Sequence, residues 1–252
     1  MINNRLITNG CSLTNYCWPT WADYLGLFFD YYENVGEAGS DNACMIRRQY
    51  NKVKSGDIVV VLWSGWNRHV KWNKKGMPTP KNVNNHWQYN YETWDKNWLV
   101  NFYDPMERFV SSMDNIVAID YQSKVIGYNV YHFSGFPWLL GEIEKYPQEK
   151  QQEVYESYRV DNNYLMEQNL EEFRQTNFEL VSSTKYNSHD IHPTPLCHFH
   201  YMKEVILPKI KEIDHTQMNQ KLNNLEKAAK LHQQLVLNGE SDFDVTHGYE
   251  FI

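Results

Sequence analysis

The stretch that most constrains the fold is Asp57–Gly65, "DIVVVLWSG". Six consecutive apolar residues, three of them valines, leave no polar position for a solvated face, so this strand must be covered on both sides. A strand buried on both faces belongs at the centre of a parallel sheet, and parallel neighbours need crossover connections, usually helices. The rest of the chain supplies them. "RLITNG" is a short apolar run ending at Gly10, and "WPTWADYLGLFFD" carries Trp18, Trp21, Leu25 and Phe28 at roughly helical spacing, with Pro19 near the helix start. "YYENVGEAGS" reads as a second strand running into a glycine loop, with a helix over about 41 to 53 capped by Asp41 or Ser40. Further on, the pattern predicts a helix over about 106 to 123, a strand in "SKVIGYNVYHFSG", a helix in "NLEEFRQTN", a strand in "FELVS" and a helix from about 194 to 213. The expected fold class is therefore α/β, a doubly wound parallel sheet of about five strands with helices on both faces.

Composition bounds what such a sheet can serve. The chain has 252 residues, 42% of them hydrophobic, enough for one large domain. Its 31 acidic against 24 basic residues give a formal charge of −7, so nucleic acid is not an expected partner. Cys11, Cys17, Cys44 and Cys197 follow neither zinc-ligand spacing nor a disulfide framework, which suits a reducing compartment. No apolar run approaches a membrane span, and no basic segment followed by an apolar one opens the chain. The expectation is a cytoplasmic protein, or one otherwise not exported by a signal peptide, with no membrane span.

In an open α/β sheet, ligands bind beyond the carboxyl ends of the strands. The polar loops "NGCSL", "GEAGSDN", "SGWNR" and "HDIHP" all fall at such ends. Read as chemistry, they make a serine-hydrolase constellation. Ser12 would be the nucleophile, His192 the base that takes its proton, and Asp190 the acid that orients the imidazole. The backbone N–H groups of Ser12 and Gly39, with the side-chain amide of Asn67, would hold the oxyanion. The same region also admits a metal site from His189, Asp190, His192 and His198, although that would leave the glycine loops without a role. His198 and His200 read as packing or capping residues, and Cys11 as a core residue beside the outward-facing Ser12.

These four blocks resemble those of the SGNH hydrolases, also called GDSL-type esterases and lipases. "GCSL" resembles the serine block with Cys11 in place of Asp, "NVGEAGSDN" the glycine block, "SGWN" the asparagine block and "DIHP" the histidine block. The resemblance spans about residues 5 to 210 and implies a flavodoxin-like sheet, Ser12 as nucleophile, Gly39 and Asn67 in the oxyanion hole and His192 as base, with no cofactor and no metal. Three departures stand out. The position three before the histidine, usually the acid, is His189, with Asp190 two before. Asn67 is followed by Arg68 where many members have Asp. Gly36 also precedes Gly39, giving two candidate donors.

The expected organisation is an α/β hydrolase domain over 1–213 with an insertion over 66–105, then a C-terminal helix and tail over 214–252. The insertion holds Trp66, Trp72, Trp87, Trp94 and Trp98 among many Asn and Lys residues. Such a long excursion suits a lid or binding loop, and aromatic faces interleaved with amides suit sugar rings. Trp66, Arg68 and Trp72 are the expected substrate contacts. The equally open alternative is that these aromatics only pack the insertion onto the domain. The favoured activity is a serine esterase or deacetylase acting on a small-molecule or glycan ester, with an O-acyl carbohydrate preferred. The competing readings are a catalytically silent SGNH-like binding or structural protein, and an O-acyltransferase using the same triad.

Overall fold

A computed structural model describes residues 5–66, 69–72, 78–84, 104–137, 148–165, 167–177, 192–213, 218–240 and 243–246. Four strands, β1 (Arg5–Gly10), β2 (Tyr31–Asn34), β3 (Ile58–Trp63) and β6 (Asn129–Ser134), form one parallel sheet in the order β2-β1-β3-β6. β1 runs beside β3 with Leu6 opposite Ile58 and Gly10 opposite Leu62. β3 is interior and all six of its residues are buried, as its apolar run requires. The order is that of a flavodoxin-like sheet among the described residues. The fifth strand expected in "FELVS" lies outside them.

Alternation along β3 divides the core. Ile58, Val60 and Leu62 point to one face and Val59, Val61 and Trp63 to the other. On the first face lie α1 (Trp21–Gly26), α5 (Leu170–Asn177), α6 (Pro195–Tyr201) and α7 (Met218–Leu237). On the second lie α2 (Asn42–Tyr50), α3 (Pro105–Ile126) and α4 (Gln148–Ser157). The sheet is thus doubly wound.

Local chemistry explains the helix boundaries. The Asp41 carboxylate accepts the Cys44 N–H at 2.8 Å and starts α2, which ends at Tyr50, earlier than the helical pattern predicts. Asp104 caps α3 ahead of Pro105, whose missing N–H costs nothing in the first turn, and Gly127 closes the helix in the left-handed region at φ 86°. In α1 the helix begins only at Trp21, because Thr20 and Asp23 form a capping box, so Trp18 sits in the preceding loop. The helix expected over 194–213 is broken into three pieces. After α6 the backbone widens into a π turn over Met202–Ile206, where the Leu207 N–H reaches back to the Met202 carbonyl, then tightens into a 3₁₀ turn over Leu207–Lys209. Pro208 accounts for this, since its ring cannot sit against the carbonyl four residues back and it has no N–H to donate.

Within the insertion, β4 (His69–Trp72) pairs antiparallel with β5 (Pro78–Asn84), with an irregularity between Val70 and Trp72. The segment read as a loop therefore contains a small hairpin.

α7 presents Met218, Leu225, Ala229 and Val236 as buried residues at steps of four or seven, and the first three of these join the core of the first face. His232, also buried, places Nδ1 2.8 Å from the Tyr24 hydroxyl of α1. The helix is thereby tied to the opposite end of the chain. Leu225→Ala should cost about 3 kcal/mol of unfolding free energy by urea denaturation, whereas Leu231→Ala on the exposed face should cost less than about 0.5 kcal/mol.

Candidate active site

The parallel register brings the carboxyl ends of β1, β2, β3 and β6 to one edge, and the polar loops leave from there. The first is the turn after β1. The N–H groups of Thr14 and Asn15 both reach the Cys11 carbonyl, at 2.9 and 3.1 Å, which folds residues 11–15 into a tight turn with Ser12 near its apex. Gly10 is required just before it: a Cβ there would lie 2.0 Å from the Thr14 hydroxyl oxygen and 3.0 Å from the Leu62 carbonyl oxygen. Cys11 points into the core of the first face.

His192 comes from the other end of the described chain, just before α6. Thr194 caps that helix by accepting the Cys197 N–H, and the Trp18 indole N–H donates to the Pro193 carbonyl at 3.1 Å. These contacts bring His192 Nε2 to 2.8 Å from Ser12 Oγ across 180 residues of sequence. Ser12 is 7% exposed. The Tyr16 ring stacks on the His192 imidazole, centroids 4.0 Å apart and planes 19° apart, and meets Trp18 edge-on at 4.5 Å.

The glycine loop after β2 is stitched to the serine turn by amides. Asn34 donates to the Thr14 carbonyl and Asn15 to the Gly36 carbonyl, each at 2.8 Å. The Gly36 N–H is committed to the Asn34 side-chain oxygen at 2.9 Å, an Asx-turn. That commitment takes up the Gly36 N–H. Gly39 itself takes φ 81°, a conformation that suits glycine. Arg48 braces the loop from α2, donating to the Val35 carbonyl at 2.9 Å, the Gly10 carbonyl at 3.3 Å and the Glu37 carboxylate at 3.0 Å.

The loop after β3 is held in the same manner. The Asn42 amide exchanges hydrogen bonds with Ser64, accepting its N–H at 3.1 Å and donating to its carbonyl at 3.3 Å. Trp66, an expected substrate contact, packs largely inward. It is 9% exposed and belongs to the core of the second face with Phe109 and Met113, because the loop turns down over α3 and the Ser112 hydroxyl donates to its carbonyl. Asn67, Arg68, His189 and Asp190 lie outside the described residues, as does the side chain of Trp72. Of the expected site residues the structure thus brings Ser12 and His192 into contact, with the Gly39 loop tied beside them. Tyr16, Arg48 and Asn42 were not anticipated. Only Asn34 had a readable signal, the Asn-x-Gly of an Asx-turn.

Among the described residues, no group of three or more His, Cys, Asp or Glu side chains could hold a metal ion. His198 is fully buried in α6 with neither ring nitrogen hydrogen-bonded, and burial, reinforced by nearby His192, pushes it down to about 3. His132 on β6 is equally buried. It accepts the Trp63 indole N–H at 3.0 Å, and burial pushes it too down to about 3.

No protein-family model matches the chain, and no curated protein matches it. Among solved structures, protein YXIM from Bacillus subtilis aligns with it at a TM-score of 0.36 and 12% identity, over 63% of this chain. The chain spans 42% of the length of that protein. A likeness of that size fixes neither fold nor activity. No helix among the described residues is long and apolar enough to cross a membrane.

The two buried histidines make stability depend on pH. Each is neutral when folded down to about pH 3 but takes up a proton below about 6.5 when unfolded, so the unfolded state binds more protons in that window and stability falls as pH drops. The stabilisation is fully present above about 6.5. Urea unfolding at pH 7 and pH 5 should differ by about 2 kcal/mol for each ring. A stability that stays level between those pH values in a His132→Gln, His198→Gln double variant would assign the loss to these two rings.

Proposed function

We propose that this chain is a serine hydrolase of SGNH type that removes an acyl group from an ester, with an O-acylated carbohydrate as the favoured substrate class. The observation that carries the reading is the 2.8 Å contact between Ser12 Oγ and His192 Nε2 at the carboxyl edge of a parallel sheet. A hydroxyl at that distance from a ring nitrogen can pass its proton to the imidazole as it attacks.

In the proposed cycle Ser12 Oγ adds to the ester carbonyl and its proton moves to His192 Nε2. The resulting oxyanion is held by the N–H groups of Ser12 and Gly39 and by the Asn67 amide, neutral donors that need no titration. Collapse breaks the carbonyl–alkoxy bond, and the departing alcohol takes the proton back from His192. Water, deprotonated by the same imidazole, then cleaves the acyl-enzyme and restores Ser12. Asp190 orients His192 and stabilises its protonated form. Arg68 and Trp72, in or beside the hairpin insertion, are the proposed sugar contacts. With a sugar hydroxyl in place of water, the same cycle makes an O-acyltransferase, and turnover with an added glycan acceptor separates the two.

Turnover of p-nitrophenyl acetate and of acetylated oligosaccharides by wild type and Ser12→Ala tests the proposal. Ser12→Ala should lose at least about 10⁴-fold in kcat while keeping its circular dichroism spectrum. Wild-type turnover by folded Ser12→Ala would eliminate the serine mechanism, and an inert wild type would leave a silent binding protein. Activity should be unchanged by chelation. Loss on EDTA with recovery on zinc would transfer the site to a metal held by the histidine cluster.

Asp190→Asn should lower kcat roughly 10² to 10⁴-fold with little change in KM, because the amide favours the wrong imidazole tautomer. Near-full activity in that variant would reduce the machinery to a Ser12–His192 dyad.

A further inference from the structure

We infer that Tyr16 is a positioning residue for the catalytic base: its ring, face to face with the His192 imidazole, fixes the angle at which Nε2 meets Ser12 and favours the imidazolium that forms when Ser12 attacks. The inference rests on the serine-hydrolase reading and adds to it a residue outside the four motif blocks.

Geometry is the first support. Ring centroids 4.0 Å apart with planes only 19° apart leave no room for the imidazole to turn about its Cβ–Cγ bond without driving an edge into the phenol face. That torsion decides whether Nε2 points at Ser12 Oγ, 2.8 Å away, or past it. A broad terminal torsion such as this one is set by packing rather than by intrinsic preference.

The platform is itself fixed. Tyr16 meets Trp18 edge-on at 4.5 Å, and Trp18, 4% exposed, donates its indole N–H to the carbonyl of Pro193, the residue after the base. Segment 16–18 therefore grips the histidine segment twice, at the ring and at the neighbouring backbone. The same segment continues from the serine turn, whose Thr14 carbonyl takes hydrogen bonds from Thr20 Oγ1 at 2.7 Å and Asn34 Nδ2 at 2.8 Å. Nucleophile and platform thus belong to one hydrogen-bonded segment, which registers the base against the residue it is proposed to deprotonate.

Electrostatics is the second support. An aromatic face carries partial negative charge and attracts a cation seated over it, by an amount equivalent to roughly 2- to 30-fold in an equilibrium or rate. The cation here exists only after proton transfer, so the gain accrues to the transition state more than to bound substrate. It should therefore appear in kcat and not in KM.

The test compares wild type, Tyr16→Phe, Tyr16→Leu and Tyr16→Met, each checked for folding by circular dichroism, with Ser12→Ala as the control for the catalytic reading. Tyr16→Leu and Tyr16→Met should lower kcat on p-nitrophenyl acetate by roughly 10-fold, and slow labelling of Ser12 by a fluorophosphonate to a similar degree, with KM within about twofold of wild type. Tyr16→Phe, which keeps the ring face, should restore most of kcat. The His192 ring-proton resonances should carry a ring-current shift in wild type and Tyr16→Phe that disappears in the other two, a signature that needs no turnover. Full kcat in folded Tyr16→Leu, or His192 resonances that do not move, would overturn the inference while Ser12→Ala still reports loss of activity. A wild type inert to every ester and to the fluorophosphonate would overturn the catalytic reading and this inference with it.

Discussion

The site depends on the parallel pairing of β1 with β3. Leu6–Gly10 lie beside Ile58–Leu62 in register, and β2 and β6 extend the same ladder outward on either side. Because all four strands run in one direction, their carboxyl ends share an edge, and the turns that leave them are brought together whatever their separation in sequence. The strands hold that register because both faces are buried. A one-residue slip of β3 would exchange Ile58, Val60 and Leu62 with Val59, Val61 and Trp63 between two cores of different shape.

What the sheet brings near, neutral amides hold in place. Asn15 and Asn34 join the serine turn to the glycine loop, and Asn42 joins α2 to the turn after β3. An amide can donate and accept at once without burying a charge, so it ties two backbones at small desolvation cost. Arg48 is the charged member of the set, and burial lowers it from its usual range, with Glu37 opposing that shift. The result is a rim whose carbonyls are engaged close to Ser12.

Legibility followed the range of the interactions involved. β3 and a cap at Asp41 or Ser40 could be read because a buried strand and a capped helix are specified by their own residues, and the structure chooses Asp41. The serine turn and the histidine could each be proposed from local pattern, but their meeting depends on α6 docking beside α1, which no local pattern encodes. Tyr16 was not legible, since a loop has no periodicity to say which way a ring faces. The packing of Trp66 was not legible, because an aromatic beyond a strand end suits a binding rim and a core equally, and it is the turn of the chain over α3 that sets it among Phe109 and Met113. The π turn before Pro208 follows from the proline, yet periodicity alone carried the helix straight through it. Asn67 and Asp190, read from their blocks, stay with the proposal.

Environment separates the imidazoles near this edge, and it fits only one of them to the base of the proposed reaction. His132 and His198 are buried where a proton could be neither solvated nor shared with a carboxylate, and burial holds both near 3, so neither can accept a proton at neutral pH. His192 differs in kind. It is half-buried, has a hydroxyl at 2.8 Å on one edge and an aromatic face beneath it. A general base must be able to exist in both protonation states during the cycle, which requires a partner for each. On the proposed reading the Ser12 hydroxyl would partner the ring before attack and the Tyr16 face would partner it afterwards. In the proposed reaction the neutral rings would serve by what they withhold: a charged imidazolium at His198 would oppose a second positive charge forming at His192, and burial keeps that charge from arising.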